Sequence, residues 1–347
     1  MRAHLVRVAS EAGAGAVAVA NAADDPTARE RFGDAIARGD LATWPYDAAY
    51  AARSTSPQSL LPGARSVVCV AIPYASEAPK QRAPLTGRVS TYAWGEDYHR
   101  HVRAVLERIA AELDAMAGEP ATRIVCDTAP FAERAFAERA GLGWVGKHAN
   151  LIAPGAGSFV FLGEIVTTLD IAPDAPSKKS CGSCTRCVDV CPTQALRGDY
   201  TMDSTRCIAD LTQRTDGIPR EMRALVGDWI WGCDLCQEVC PPTRRAARAP
   251  ATVEPEAAYP DLVALLSLRS GAYKRQYRSR AIGWRGAAVL RRNAAVALGN
   301  ALDRSAVPAL KKALVQDPHP MVRGHVAWAL GRIGSPSARS ALRSAQA

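Results

Sequence analysis

Eight cysteines at metal-site spacing hold the most legible chemistry in this chain. The run Cys181-Gly-Ser-Cys184-Thr-Arg-Cys187-Val-Asp-Val-Cys191-Pro192 is C-x2-C-x2-C-x3-C-P, the spacing by which bacterial chains hold two iron-sulfur clusters. Farther along, Cys233-Asp-Leu-Cys236-Gln-Glu-Val-Cys240-Pro241 answers it. The first three thiolates can wrap one cubane, whereas the Cys before the proline serves the other cluster. Cys181, Cys184 and Cys187 therefore take Cys240 as their fourth ligand. The second run is one Cys short, and Cys207, alone between the runs, completes the set of Cys191, Cys233 and Cys236. A zinc ribbon made from the two C-x2-C pairs would leave Cys187, Cys191, Cys207 and Cys240 idle, across a gap far beyond the ~15–20 residues usual there. Cys69 and Cys126 sit in apolar strand patterns and read as small buried hydrophobes.

Two clusters in series make an electron wire, and a wire alone needs only a short chain. Here a domain's length precedes it, so the electrons must reach an organic or metal cofactor held by the N-terminal part. Asp127 is the candidate for proton chemistry there. It follows the short strand pattern Arg123-Ile-Val-Cys126, and open α/β sheets place ligands beyond the carboxyl ends of their strands. The competing reading makes Asp127 a turn or cap residue ahead of Pro130. Glycines 141, 143 and 146, beside Lys147 and His148, would let backbone approach a large ligand. His4, His99, His101, His148, His319 and His325 show no ligand spacing and read as structural.

The elements that must position these groups form an α+β pattern of α/β-like character. Arg65–Pro73 and Ser158–Leu169 read as strands. A helix places Val102, Val105, Leu106, Ile109 and Leu113 on one face and stops at Gly118, and a second helix is expected over Phe131–Ala140. The polar, proline-bearing stretch 171–180 separates this part from the cysteine module, which reads as ferredoxin-like. In the tail, Arg292-Asn-Ala-Ala-Val-Ala-Leu-Gly299 recurs as Gly324-His-Val-Ala-Trp-Ala-Leu-Gly331, a short HEAT-like repeat that must lean on its neighbour for stability. The net charge of +9 comes from arginine, including Arg244, Arg245, Arg248, Lys274–Arg280 and Arg291–Arg292, and is compatible with a polyanionic partner. The small-residue run Ala12–Ala20 lacks the Leu-rich character of a signal peptide. No stretch of ~18 uninterrupted apolar residues exists, so the expectation is a cytoplasmic protein with reduced thiols and no membrane contact.

Together, Asp127-Thr-Ala-Pro, Glu133-Arg134, Ala137-Glu-Arg-Ala-Gly-Leu-Gly-Trp-Val-Gly-Lys-His148, Phe161-Leu-Gly-Glu164, the cysteine runs, Trp231-Gly-Cys-Asp-Leu-Cys236 and Arg292-Asn-Ala-Ala-Val-Ala-Leu-Gly-Asn300 resemble epoxyqueuosine reductase along nearly the whole chain. The resemblance implies a cobalamin-binding catalytic domain over 1–175, a ferredoxin-like domain with two 4Fe-4S clusters over 176–245 and a tRNA-binding HEAT-like repeat over 246–347. It implies reduction of the epoxide of epoxyqueuosine at the wobble base of tRNA, by cobalamin that the clusters reduce to the cob(I) state. Asp127 matches the proton donor, with its pKa expected to be raised by burial, and Glu133 is the spare candidate. Cobalamin contacts carry over to Ser90, Asp127, Leu151, Leu162, Ala209 and Asp234. The tail arginines would hold the anticodon stem-loop, and the implied partners are tRNA and an external low-potential electron donor, with the chain a monomer. Thr91 stands where the family commonly has Arg, Ala209-Asp210 replace the usual Ser-Tyr, and Arg53 lies in a loosely matched segment. The alternatives are a reductive dehalogenase-like enzyme acting on a small organohalide and an electron-transfer adaptor without catalysis.

Overall fold

The computed structural model describes residues 1–80 and 82–346. Eight strands are present: β1 (Ala16–Asn21), β2 (Ser66–Pro73), β3 (Arg88–Val89), β4 (Thr122–Val125), β5 (Trp144–Val145), β6 (Leu151–Ile152), β7 (Val160–Thr167) and β8 (Trp229–Trp231). Four of them form one sheet in the order β1-β2-β7-β4. Every pairing in it is antiparallel, which makes the N-terminal part α+β and removes the α/β-like character expected from its strands. The parallel-sheet rule for ligand placement therefore does not apply to Asp127, although Asp127 does follow β4. β2 is buried along nearly its whole length, because both faces of the sheet are covered. On one face the helices Arg2–Ala12 and Tyr98–Ala117 pack Leu5, Val8, Val105, Leu106 and Ile109 onto Val68, Val70 and Ile165. On the other, Phe136 and Ala137 of the helix Glu133–Arg139 pack onto Val67, Cys69 and Val166.

The helix Tyr98–Ala117 follows its sequence pattern closely. Its five expected apolar positions are buried, each worth about 1.5–3 kcal/mol of burial. The Asp97 carboxylate accepts from the His99 amide at the N-terminus, and Gly118 at φ 75° closes the C-terminus, a left-handed turn that glycine takes without penalty. The run Ala12–Ala20 ends the first helix at a left-handed Gly13 and continues into β1.

Beyond the sheet, the short helices Arg186–Val190 and Leu235–Glu238, one from each cysteine run, pack on one another. The tail forms the helices Ala287–Ala301, Val307–Gln316, Pro320–Ile333 and Pro336–Gln346. A Cβ on Gly299 would lie 2.8 Å from the Ala329 Cα, so small residues bring the two repeat helices together. The core of this tail also takes in Val89 and Trp94 from the N-terminal part and Ile230 and Trp231 from the cysteine module.

Two of the arginines expected on a basic surface are instead inside. Arg291 is buried in an ion pair with Asp317, Nε to Oδ2 2.7 Å. Arg292 is fully buried and donates to the carbonyls of Leu211, Thr212, Arg214 and Asp216. These carbonyls lie at the end of the helix Ile208–Gln213, where backbone acceptors have no helical partner and a cation is favoured. Asn293 adds bonds to the carbonyls of Thr212 and Ile230, both 2.7 Å. The repeated tail segment is thus a clasp on the cysteine module.

Candidate active site and cluster module

The two expected sets of four cysteines, 181, 184, 187 and 240, and 191, 207, 233 and 236, influence one another electrostatically, and Cys236 of the second also feels Cys187 of the first. Burial pushes the Cys187 thiol up to about 11, with Cys181 and then Cys240 adding to it. Cys240 is raised by burial and by Cys181 and Cys184. In the second group, burial raises Cys207, with Cys191 contributing. Cys233 is raised by burial and then by Cys207, and Cys236 by burial and then by Cys233 and Cys207. Raised in this way the thiols keep their protons, and a bound cluster's positive charge is what would deprotonate them. Among the described residues no three of these side chains converge closely enough to hold a metal ion as they stand. Among the described residues no disulfide ties any of them. Cys181 and Cys184 line an open depression of about 620 Å³ with Arg186 and Pro241. The four cysteines of the second group are all half-buried, and Cys236 and Asp234 act on the half-buried Tyr74.

Asp127 is exposed beside Tyr98, a residue that lines a cavity. It has φ 55°, a left-handed conformation that Asp tolerates better than most residues. Its amide donates to Glu133 Oε1 at 2.6 Å, its Oδ2 accepts from the Tyr98 hydroxyl at 2.7 Å, and His99 Nε2 lies 3.3 Å away. The histidine contact is an ion pair and is too poorly aimed to count as a hydrogen bond. On its other side His99 Nδ1 meets Asp97 Oδ1 at 2.6 Å.

Contrary to the expected raised acid, the Asp127 carboxyl is held below its ordinary value. Contact with His99 outweighs burial, and Tyr98 assists. His99 is correspondingly lifted to about 9 by Asp127 and Asp97, against burial. At neutral pH the proton of this pair resides on the imidazole. Reading His99 as a structural residue missed it, because its contact with Asp127, 28 residues away, exists only in the folded chain. Glu133 is the carboxyl that burial does raise, to about 7. Behind it Glu164 on β7 is fully buried, neither oxygen meets a well-aimed donor, and burial raises it further.

The other expected contacts are distributed as follows. Ser90 and Asp234 are both buried and bond each other at 2.5 Å. Asp234 also accepts from the Thr91 amide and hydroxyl at 2.7 and 2.8 Å, so the residue in the place of the family's Arg serves this clasp. Leu151 and Leu162 pack in the core beside Phe136. Ala209 is half-buried on the helix that follows Cys207. Arg53 lies 6.0 Å over the Tyr50 ring. Cys69 is core, as expected, whereas Cys126 is only half-buried next to Asp127. In the glycine loop the close approaches are to the protein's own backbone: a Cβ at Gly141 would strike the Ala175 carbonyl, and one at Gly143 the Ile152 carbonyl. His148 and His325 are buried and shifted down to about 4, chiefly by burial, consistent with neutral structural roles. Tyr74, Thr91, Tyr92, Tyr98 and Phe161 line a cavity of about 530 Å³. Tyr92 feels both Asp127 and Asp234.

Residues 180–243 match the family model of a 4Fe-4S double cluster binding domain, and residues 285–346 that of HEAT repeats. Fold and site together define an iron-sulfur oxidoreductase with a helical-repeat tail. Residues 55–128 match the model described as epoxyqueuosine reductase QueG, DUF1730. An epoxyqueuosine reductase of Bacillus cereus is 39% identical over 300 residues, covering 84% of this chain and 79% of its own length. That of Xanthomonas campestris is 38% identical over 314 residues, covering 86% and 87%. A crystal structure of epoxyqueuosine reductase with an epoxyqueuosine-modified tRNA-Tyr stem loop superposes with a TM-score of 0.92 at 32% identity, covering 99% of this chain and 93% of that one. The Streptococcus thermophilus enzyme gives 0.90 at 28% identity, covering 99% and 98%. The chain belongs to the epoxyqueuosine reductase family.

Proposed function

We propose that the chain removes the epoxide oxygen of epoxyqueuosine at the wobble position of a tRNA anticodon loop, leaving queuosine. The observation that carries the reading is the Asp127–His99 pair held by Tyr98, whose ring lines a cavity with Tyr74, Tyr92 and Phe161. The net reaction breaks both epoxide C–O bonds, forms a C=C bond and releases water, consuming two electrons and two protons. Cysteines 181, 184, 187 and 240 would hold one 4Fe-4S cluster and cysteines 191, 207, 233 and 236 the other. The first set, open at Cys181 and Cys184, takes electrons from an external donor, and the second set passes them on. Cobalamin, held near Ser90, Leu151, Leu162, Ala209 and Asp234, would supply the reducing nucleophile. The aromatic surface of Tyr74, Tyr92, Tyr98 and Phe161 suits the face of a large planar macrocycle, with Ser76, Arg100, His101 and Thr252 among the polar side chains that line the same cavity.

The chain's own residues handle the proton. Asp127 presents its carboxylate, His99 holds the proton beside it, and Tyr98 and Glu133 fix the loop through one hydrogen bond each. Delivery to the departing epoxide oxygen goes through Asp127, with His99 restoring its proton. Among the described residues no helix is long and apolar enough to cross a membrane, and a monomer acting in the cytoplasm completes the proposal.

The test incubates cluster-loaded, cobalamin-supplied protein with tRNA carrying epoxyqueuosine and a low-potential reductant, followed by mass spectrometry of the nucleosides. Queuosine should form with wild type and fail to form with Asp127→Asn, whose iron content stays unchanged. No queuosine from the wild type would overturn the proposal.

A further inference from the structure

Near-parallel aromatic rings run from the neighbourhood of Asp127 to the protein surface. Tyr50 stacks on Tyr46 at 4.2 Å, Tyr46 on Trp44 at 5.9 Å, and Trp44 on Trp284 at 6.2 Å, with interplanar angles of 26°, 9° and 23°. At the inner end, the Tyr50 phenol is raised to about 12 by burial and then by Tyr46, and it also feels Asp127 and Glu133. A second aromatic path reaches the same outer end. Tyr98, bonded to Asp127, meets Tyr92 edge-on at 6.0 Å. The Tyr92 hydroxyl accepts from the Trp231 indole at 2.8 Å, and Trp231 stands edge-on to Trp284 at 6.5 Å. Both paths lead from the reacting carboxylate to Trp284.

The outer rungs are unlike core aromatics. Trp44 is 38% and Trp284 53% exposed, although they belong to distant parts of the chain. The Arg285 guanidinium lies 3.6 Å from the Trp284 ring centre and 5.1 Å from that of Trp44, and its covered Nε has no acceptor. Lys274, Arg275, Arg278 and Arg280 precede it in sequence. Two exposed indoles and a planar cation, close to basic sequence and joined through Trp231 and Tyr92 to the cavity beside Asp127, match what unpaired nucleotides bind: ring faces for bases and positive charge for phosphates.

We propose that Trp44, Trp284 and Arg285 form a stacking platform for unpaired nucleobases that flank the modified base of an RNA loop, holding the loop while that base enters the cavity. The inference rests on the RNA-substrate reading above and adds the residues that grip the loop. Stacking on the indoles is indifferent to base identity, because every base has a π face. The platform therefore lets one site serve loops of differing sequence.

The experiment titrates a fluorescently labelled, unmodified anticodon stem-loop RNA against cluster-loaded protein at several salt concentrations, with a loop-free RNA duplex alongside. Trp44→Ala and Trp284→Ala should each weaken loop binding roughly 5- to 150-fold. Trp284→Phe should retain most of the affinity. Trp284→Leu, which keeps apolar bulk without the extended ring, should bind as the alanine variant does, so a fault in folding is separable from loss of stacking. The salt slope should stay unchanged in the tryptophan variants, because no phosphate contact is removed, and duplex binding should be equal in all. If wild type binds the loop and Trp284→Leu binds it equally well, the platform is wrong while the RNA reading stands. If instead these variants bind RNA normally but slow reduction by an acidic protein donor, the surface belongs to that donor and the proposal fails. A wild type that binds neither RNA nor yields queuosine removes the underlying reading as well.

Discussion

At the scale of single residues, the proton inventory around Asp127 differs from the simple picture of a buried acid. Desolvation would raise the carboxyl, but an adjacent imidazole with a second carboxylate behind it wins. Asp97, Asp127 and Tyr98 face His99, with Glu133 and Arg134 behind Asp127. Because the folded His99 value lies above its reference of 6.5, at about 9, the stabilisation from its charge is complete below the reference and fades as pH rises through 9. Asp127, shifted the other way, contributes above its ordinary 3.8 and loses its contribution as pH falls through its lower folded value. The rate of epoxide reduction under saturating electron supply should therefore hold across neutral pH and decline above about 9. His99→Asn should slow the reaction and abolish that alkaline decline. An unchanged decline in the variant would exclude His99 as the proton reservoir.

At the scale of elements, two loops join the sheet to the cysteine module at close range. Gly157 has φ 70°, and a Cβ there would strike Thr243, which follows Cys240 and bonds Ser158 through the amide at 2.9 Å and the hydroxyl at 3.0 Å. Gly157→Ala should cost at least about 1–2 kcal/mol from the left-handed backbone alone, and the contact with Thr243 adds to that. Since Thr243 sits beside a cluster ligand, the expected readout is a lower Tm together with reduced iron per chain after anaerobic reconstitution. An unaltered iron content would show that this seam does not position Cys240.

At the scale of the whole molecule, the tail is bound to the cluster module by buried hydrogen bonds as well as by apolar packing. Arg292 gathers helix-end carbonyls that would otherwise face no donor. Arg292→Leu keeps the volume roughly but strands several buried acceptors, each costing about 1–3 kcal/mol. The total loss should be at least about 3 kcal/mol. Denaturant unfolding should show this as a lower midpoint, and limited proteolysis should release the tail first. Stability equal to wild type would mean the clasp is not what couples the two parts.

The double-cluster module was legible from the order of its cysteines, because such spacing is written in local turns and a proline, and the match to a 4Fe-4S double cluster model covers the same stretch. The helix Tyr98–Ala117 was equally plain, since one apolar face and two end signals lie within its own residues. The resemblance by motif order likewise reached the family. Only tertiary structure decided the antiparallel sheet, because strand direction depends on which distant segments pair. It turned Arg291 and Arg292 from expected surface charges into buried clasps, since no local pattern tells an arginine that finds carbonyls from one that finds water. The direction of the Asp127 shift also came from the tertiary fold. In the sequence Asp127 is an acid after a strand, and His99 reverses its expected behaviour only because folding sets the two 3.3 Å apart.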